Sequence, residues 1–175
     1  MHSATLFALK DIIIAGRPLE CLHAYSADEA RSVMERTPGI AVVLLDVVME
    51  KDDAGLQLVR VIRDELGCAD TRIILRTGQP GYAPELEVIR DYDINDYKTK
   101  SELTRTRLIT SLTTAIRSYE QIRLVLESER GMDRIVRSAP VLLAQRNIGD
   151  FADKALGLVA ELLGDAGADG VFCTR

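Results

Sequence analysis

Three polar side chains stand where short strand-like stretches end, and their types suit the handling of a phosphoryl group. The run Ala41-Val42-Val43-Leu44-Leu45 delivers the carboxylate of Asp46. Arg72-Ile73-Ile74-Leu75-Arg76 leads into Thr77-Gly78, and Ile94-Asn95-Asp96-Tyr97-Lys98-Thr99 leads into Lys100. A carboxylate can attack phosphorus and carry the group as an acyl phosphate, while a hydroxyl and an ammonium bind the phosphoryl oxygens. Other candidates are weaker. Asp52 and Asp53 precede a helical pattern, where capping and solvation account for acidic residues. Gly78 and Gly81 flank Gln79-Pro80 but match neither GxGxxG nor GxxxxGK, so nucleotide binding is not expected. Cys21, Cys68 and Cys173 lack CxxC spacing, and His2 and His23 lack companions at ligand spacing, which argues against a zinc site or a disulfide framework.

The positioning elements follow from the pattern. A short continuous apolar run reads as a strand buried on both faces, the habit of a parallel sheet. Open α/β sheets place their chemistry at the carboxyl edge, where Asp46, Thr77 and Lys100 would then sit. Before the Asp46 strand, residues 3–14 read as a helix with Leu6, Leu9 and Ile13 on one side, stopped by Gly16-Arg17-Pro18. Residues 19–24 read as a short strand. Ser26-Ala27-Asp28-Glu29 has capping-box spacing and opens a helix through Arg36, which Pro38-Gly39 ends. A helix is expected near 56–66, with Leu58, Val59, Ile62 and Leu66 facing the core, and another from Pro84 to Tyr92. Strands alternating with helices across short connections predict an α/β fold with a doubly wound parallel sheet.

The ordered set resembles the receiver domain of two-component response regulators. Asp46-Val47-Val48-Met49 is similar to the phosphoacceptor stretch of that family, and Leu75-Arg76-Thr77-Gly78 to its switch strand end. Asp96-Tyr97-Lys98-Thr99-Lys100 is similar to its fifth strand, with Tyr97 at the aromatic switch position and Lys100 at the invariant lysine. The resemblance covers roughly residues 1–120. It implies phosphorylation at Asp46 by a histidine kinase or phosphotransfer protein. It also implies Mg²⁺ held by Asp46 and the backbone carbonyl of Val48, Lys100 and Thr77 on the phosphoryl oxygens, and Thr77 and Tyr97 as switches. The chain departs from the family in two places. Ser101 replaces the usual proline after Lys100, and the first strand, which normally ends in two acidic residues, is missing. The expected sheet therefore has a gap between the 19–24 strand and the Asp46 strand, and the expected Mg²⁺ site is incomplete. A fragment of a longer protein or a degenerate module would each read this way.

Residues 104–137 read as the last receiver helix and a helical linker. Leu108, Leu112, Ala115, Tyr119, Ile122 and Leu126 alternate steps of four and three, the seam of a coiled coil and an expected homodimer contact. Ser138-Ala139-Pro140 reads as a joint, followed by a second amphipathic helix from Ile148 to Leu163, a turn at 164–170 and the start of a strand at 171–173. Residues 138–175 resemble the opening of a GAF-like domain. The chain has 175 residues, 47% apolar and 28% charged, with net charge −5 and no dense basic block. That fits a cytoplasmic chain with a packed core, and argues against nucleic-acid or membrane partners. No GGDEF, EAL or HD-type metal motif appears, so the chain is read as a receiver and not as an enzyme. Its output is inferred from architecture, with cyclic di-GMP turnover one option. A pseudo-receiver that dimerises without being phosphorylated is the alternative. A hydrolase of the aspartyl-phosphate type is not expected, because Val48 stands where Asp-x-Asp chemistry needs its second carboxylate.

Overall fold

Apolar residues of successive strands divide between two faces of one sheet, and that division builds the first half of the molecule. The computed structural model describes residues 2–49, 53–78, 94–100, 102, 104–145 and 147–163, without the side chains of 2–4 and 161–163. In chain order come α1 (His2–Leu9), β1 (Ile13–Ile14), β2 (Arg17–Pro18), α2 (Ala27–Arg36), β3 (Val42–Asp46) and α3 (Ala54–Arg60). A π-helical turn over Val61–Glu65 continues α3, and β4 (Arg72–Thr77), β5 (Asp96–Thr99), α4 (Arg105–Leu143) and α5 (Ile148–Leu163) follow. The chain divides into two compact units, residues 1–123 and 124–175.

In the first unit β3, β4 and β5 pair in that order, all parallel. Side chains alternate across a strand. Leu45, Ile73, Leu75 and Tyr97 therefore face α2 and α3, where Met34, Leu58, Val59 and Ile62 complete a buried cluster. Ile74, with Val42 and Leu44, faces the opposite way, against Leu9 of α1 and Leu108, Leu112 and Ala115 of α4. Each such side chain fully removed from water contributes about 1.5–3 kcal/mol. The sheet is covered on both faces, as the doubly wound expectation requires.

Ser26 opens α2 as its sequence suggests: its Oγ accepts the Glu29 N–H at 3.2 Å, and Glu29 Oε2 accepts the Tyr25 N–H at 2.8 Å. Three other expectations need correction. The helix read over 3–14 ends at Leu9, because Asp11 turns into the left-handed region at φ 62°. Ile13 and Ile14 then pair with Pro18 and Arg17 in a hairpin, whose two loop residues, Ala15 and Gly16, both have positive φ. That is the backbone of the favoured two-residue hairpin turn. Residues 19–24 form no strand. They line a cleft of about 800 Å³ together with Val42 and Leu44 of β3, whose outer edge has no strand partner among the described residues. Without a neighbouring edge to exchange hydrogen bonds, extended residues are not locked into a ladder. Finally, Pro140 is no joint: α4 runs through it to Leu143. Pro140 lies within the helix's final turn, so its missing N–H removes a single bond there, and its carbonyl still accepts the Ala144 N–H at 3.1 Å.

In the second unit Asn147 stands before α5, its Oδ1 accepting the Asp150 N–H at 2.8 Å and its Nδ2 donating to Asp150 Oδ2 at 2.7 Å. The helix expected from Pro84 to Tyr92, the turn at 164–170 and the strand at 171–173 lie outside the described residues. Among the described residues, no helix is long and apolar enough to cross a membrane.

Candidate functional site

The ladder runs past the strand ends and carries the candidate residues with it. Val47 N–H donates to the Arg76 carbonyl at 2.9 Å, and Lys100 N–H donates to the Thr77 carbonyl at 2.8 Å. The main chain after β3 and after β5 is thus pinned to the end of β4. Lys100 Nζ reaches Asp46 Oδ2 at 3.3 Å, so the carboxylate and the ammonium named from sequence meet. Thr77 closes β4 between them and is 1% exposed. Tyr97 sits lower, within the core on the α2 and α3 side at 6% exposure, and its Oη has no hydrogen-bond partner among the described residues. The Val48 side chain is partly exposed two residues beyond β3.

Two residues of the site escaped sequence reasoning. Arg76 pairs in register with Asp46, and its Nε lies 2.9 Å from Asp46 Oδ1. The two atoms are buried but not aligned as a hydrogen bond, so the contact is electrostatic. At an effective dielectric of about 20, such a pair attracts by about 4 kcal/mol before desolvation is subtracted. The signal was available. Asp46, Arg76 and Lys98 are register partners across the sheet, and Lys100 continues their alternation. The second residue is Gly55, just ahead of the helix expected near 56–66. It lies buried in α3, and a Cβ there would come within 2.2 Å of the Asp46 carbonyl oxygen and 2.8 Å of Val47 Cα. The helix can approach the end of β3 this closely only because the side chain is missing.

Mg²⁺ demands a near-octahedral set of oxygens. Among the described residues, no group of three or more His, Cys, Asp or Glu is gathered to hold a metal ion. Asp46 offers the one carboxylate, and each of its oxygens already faces a cation. The described residues do not fit Mg²⁺ as they stand. Asp52 lies outside them. Asp53 is engaged locally, its Oδ2 accepting from Gln57 Nε2 at 2.7 Å.

A three-stranded parallel sheet covered on both faces, with a carboxylate and a lysine converging at its carboxyl edge, is the fold of a signal receiver domain. The solved signal receiver domain of an HD domain-containing protein from Pseudomonas fluorescens Pf-5 superposes with a TM-score of 0.57 at 19% identity, covering 69% of this chain and 88% of that one. NtrX from Brucella abortus gives 0.51 at 19% identity, over 66% of this chain and 27% of that one. A family profile described as a domain of unknown function (DUF3369) matches residues 112–175, the stretch that includes the region read as GAF-like. Among characterised proteins, the 3'3'-cGAMP-specific phosphodiesterase 2 of Vibrio cholerae is 40% identical over 163 residues. That match takes in 93% of this chain, while the chain spans 31% of the relative's length. It corrects one expectation. The chain is read from sequence as a receiver and not as an enzyme, yet a relative that matches 93% of it is a phosphodiesterase.

Proposed function

We propose that the chain is the phosphoacceptor segment of a longer regulator. In this reading Asp46 accepts a phosphoryl group from a histidine kinase or phosphotransfer protein. Lys100 and the Thr77 hydroxyl hold its oxygens, and Tyr97 repacks in response. The observation that carries this reading is the 3.3 Å approach of Lys100 Nζ to Asp46 Oδ2 at adjoining strand ends, since a lysine on the reacting carboxylate is placed to follow charge onto the phosphoryl group. The change passes to α4, whose Leu108, Leu112 and Ala115 pack on the sheet, and onward along that helix. The output of the whole protein would be a phosphodiesterase acting on a cyclic dinucleotide, by kinship with the Vibrio cholerae enzyme.

The test is incubation of the chain with acetyl phosphate and Mg²⁺, read by intact mass, beside Asp46→Asn. A gain of one phosphoryl group in the unmodified chain alone is expected. No gain, also in a chain extended to the length of the relative, would overturn this reading and favour a pseudo-receiver. The outer edge of β3, which has no strand partner among the described residues, is the observation on that side, because a sheet open beside the acceptor strand leaves Asp46 less enclosed.

A further inference from the structure

Arg76 is the feature that the proposed chemistry has not absorbed. Its side chain is 11% exposed and that of Asp46 is 22% exposed, so their 2.9 Å contact is shielded from bulk water on most sides. Its other end is tied down, with Nη1 donating to Thr5 Oγ1 of α1 at 3.3 Å. Lys100 is placed differently: it is 30% exposed and stands at 3.3 Å. The carboxylate therefore has one fixed cation on Oδ1 and one looser cation on Oδ2. A divalent ion seeking Asp46 meets a guanidinium already in place on Oδ1, a buried oxygen.

We propose that Arg76 is the resident counter-cation of Asp46, a positioning residue that holds Oδ1 and competes with a divalent metal ion for the carboxylate. The inference rests on the phosphoacceptor reading for its purpose, but the competition can be measured without phosphorylation. With Oδ1 held, Oδ2 is the oxygen left to attack. The Oδ2–P bond forms as the P–N bond of a phosphohistidine donor breaks, and the electron pair leaves on the imidazole nitrogen, which takes a proton from water. With acetyl phosphate the P–O bond breaks instead and acetate leaves. Lys100, the looser cation, is free to move with the transferred group.

The experiment is calorimetric titration of the full chain with MgCl₂, on the unmodified protein, Arg76→Gln, Arg76→Lys and Asp46→Asn. Removing the fixed positive charge should tighten Mg²⁺ binding about tenfold or more in Arg76→Gln, with Arg76→Lys between it and the unmodified chain. Asp46→Asn should bind weakest. A merely structural arginine would give no gain in metal affinity when removed. Equal affinity in the unmodified chain and Arg76→Gln, or no binding in either, overturns the proposal. Near-UV circular dichroism checks folding, and should Arg76→Gln not fold, Arg76→Lys makes the same comparison with a smaller expected shift of about threefold. Acetyl phosphate labelling of the same samples keeps the two readings apart. Failure to label the unmodified chain strikes the phosphoacceptor reading, whereas unchanged Mg²⁺ affinity strikes the role of Arg76.

Discussion

The two halves of α4 both carry apolar residues, and several of these meet opposite fates. Leu108, Leu112 and Ala115 are 5% to 6% exposed against the sheet, while Leu124, Val125, Met132, Ile135 and Val136 on the same helix are 44% to 68% exposed. Helical periodicity describes both halves equally. What differs is whether a second apolar surface lies opposite, and most helical stability in proteins comes from that packing rather than from propensity. The front half is therefore a structural member of the receiver fold, whereas these five residues of the rear half stay largely exposed.

Truncating one residue in each half should show the contrast at full size. Leu112→Ala leaves a cavity between α4 and the sheet and should cost about 2–5 kcal/mol in urea unfolding. Val136→Ala should stay within about 0.5 kcal/mol, as for exposed positions without special features. Similar losses at the two sites would mean that the rear half is also packed, and the comparison would fail.

Glycines sharpen the same contrast with opposite signs. Gly55→Ala drives a methyl group onto the Asp46 and Val47 backbone, so it should destabilise by about 1–3 kcal/mol and displace the Asp46 carboxylate. Slower acetyl phosphate labelling would accompany the loss. Gly131, inside α4, has nothing within 4 Å of an added Cβ. There alanine relieves only backbone entropy, and Gly131→Ala should raise helix stability by about 0.5–1 kcal/mol, read as a higher thermal midpoint of the helical signal. A destabilising Gly131→Ala would place an unseen neighbour against that turn.

How much of this was legible beforehand follows a physical line. The runs ending at Asp46 and Thr77 were readable because buried parallel strands need apolar residues on both faces, the polar run ending at Thr99 through its likeness to the fifth strand of the receiver family, and Ser26 because a cap acts within four residues. Asp46 and Lys100 were placed correctly at one sheet edge. Residues 19–24 misled because strand-like composition says nothing about whether a partner edge exists. The hairpin at Ala15-Gly16 was hidden by an alanine at φ 52°, a conformation that its side chain disfavours. Arg76 and Gly55 were passed over for a shared reason. Their importance lies in register and close approach, and both are set by elements distant in sequence.

The smallest expected effect lies where β5 hands over to α4. Thr99 N–H donates to Glu102 Oε2 at 3.1 Å, and Glu102 N–H donates to the Thr99 carbonyl at 3.1 Å. The bonds from Thr99 hold the Glu102 carboxyl below its ordinary value of 4.5, with Arg107 and Lys98 adding a little through space. A depressed folded pKa stabilises the ionised, folded state. That contribution is complete above the ordinary glutamate range and disappears as pH falls through the lowered value. Glu102→Gln removes it at every pH. The unmodified chain should therefore resist urea slightly better than Glu102→Gln at neutral pH, with the gap closing as pH falls through the lowered value. The full exposure of Glu102 keeps this difference small, and salt should shrink the part due to Arg107 and Lys98. Because the clip fastens the front of α4 to the sheet edge, the gap should appear in the amide exchange of residues 99–115. The rear half of the helix should not register it.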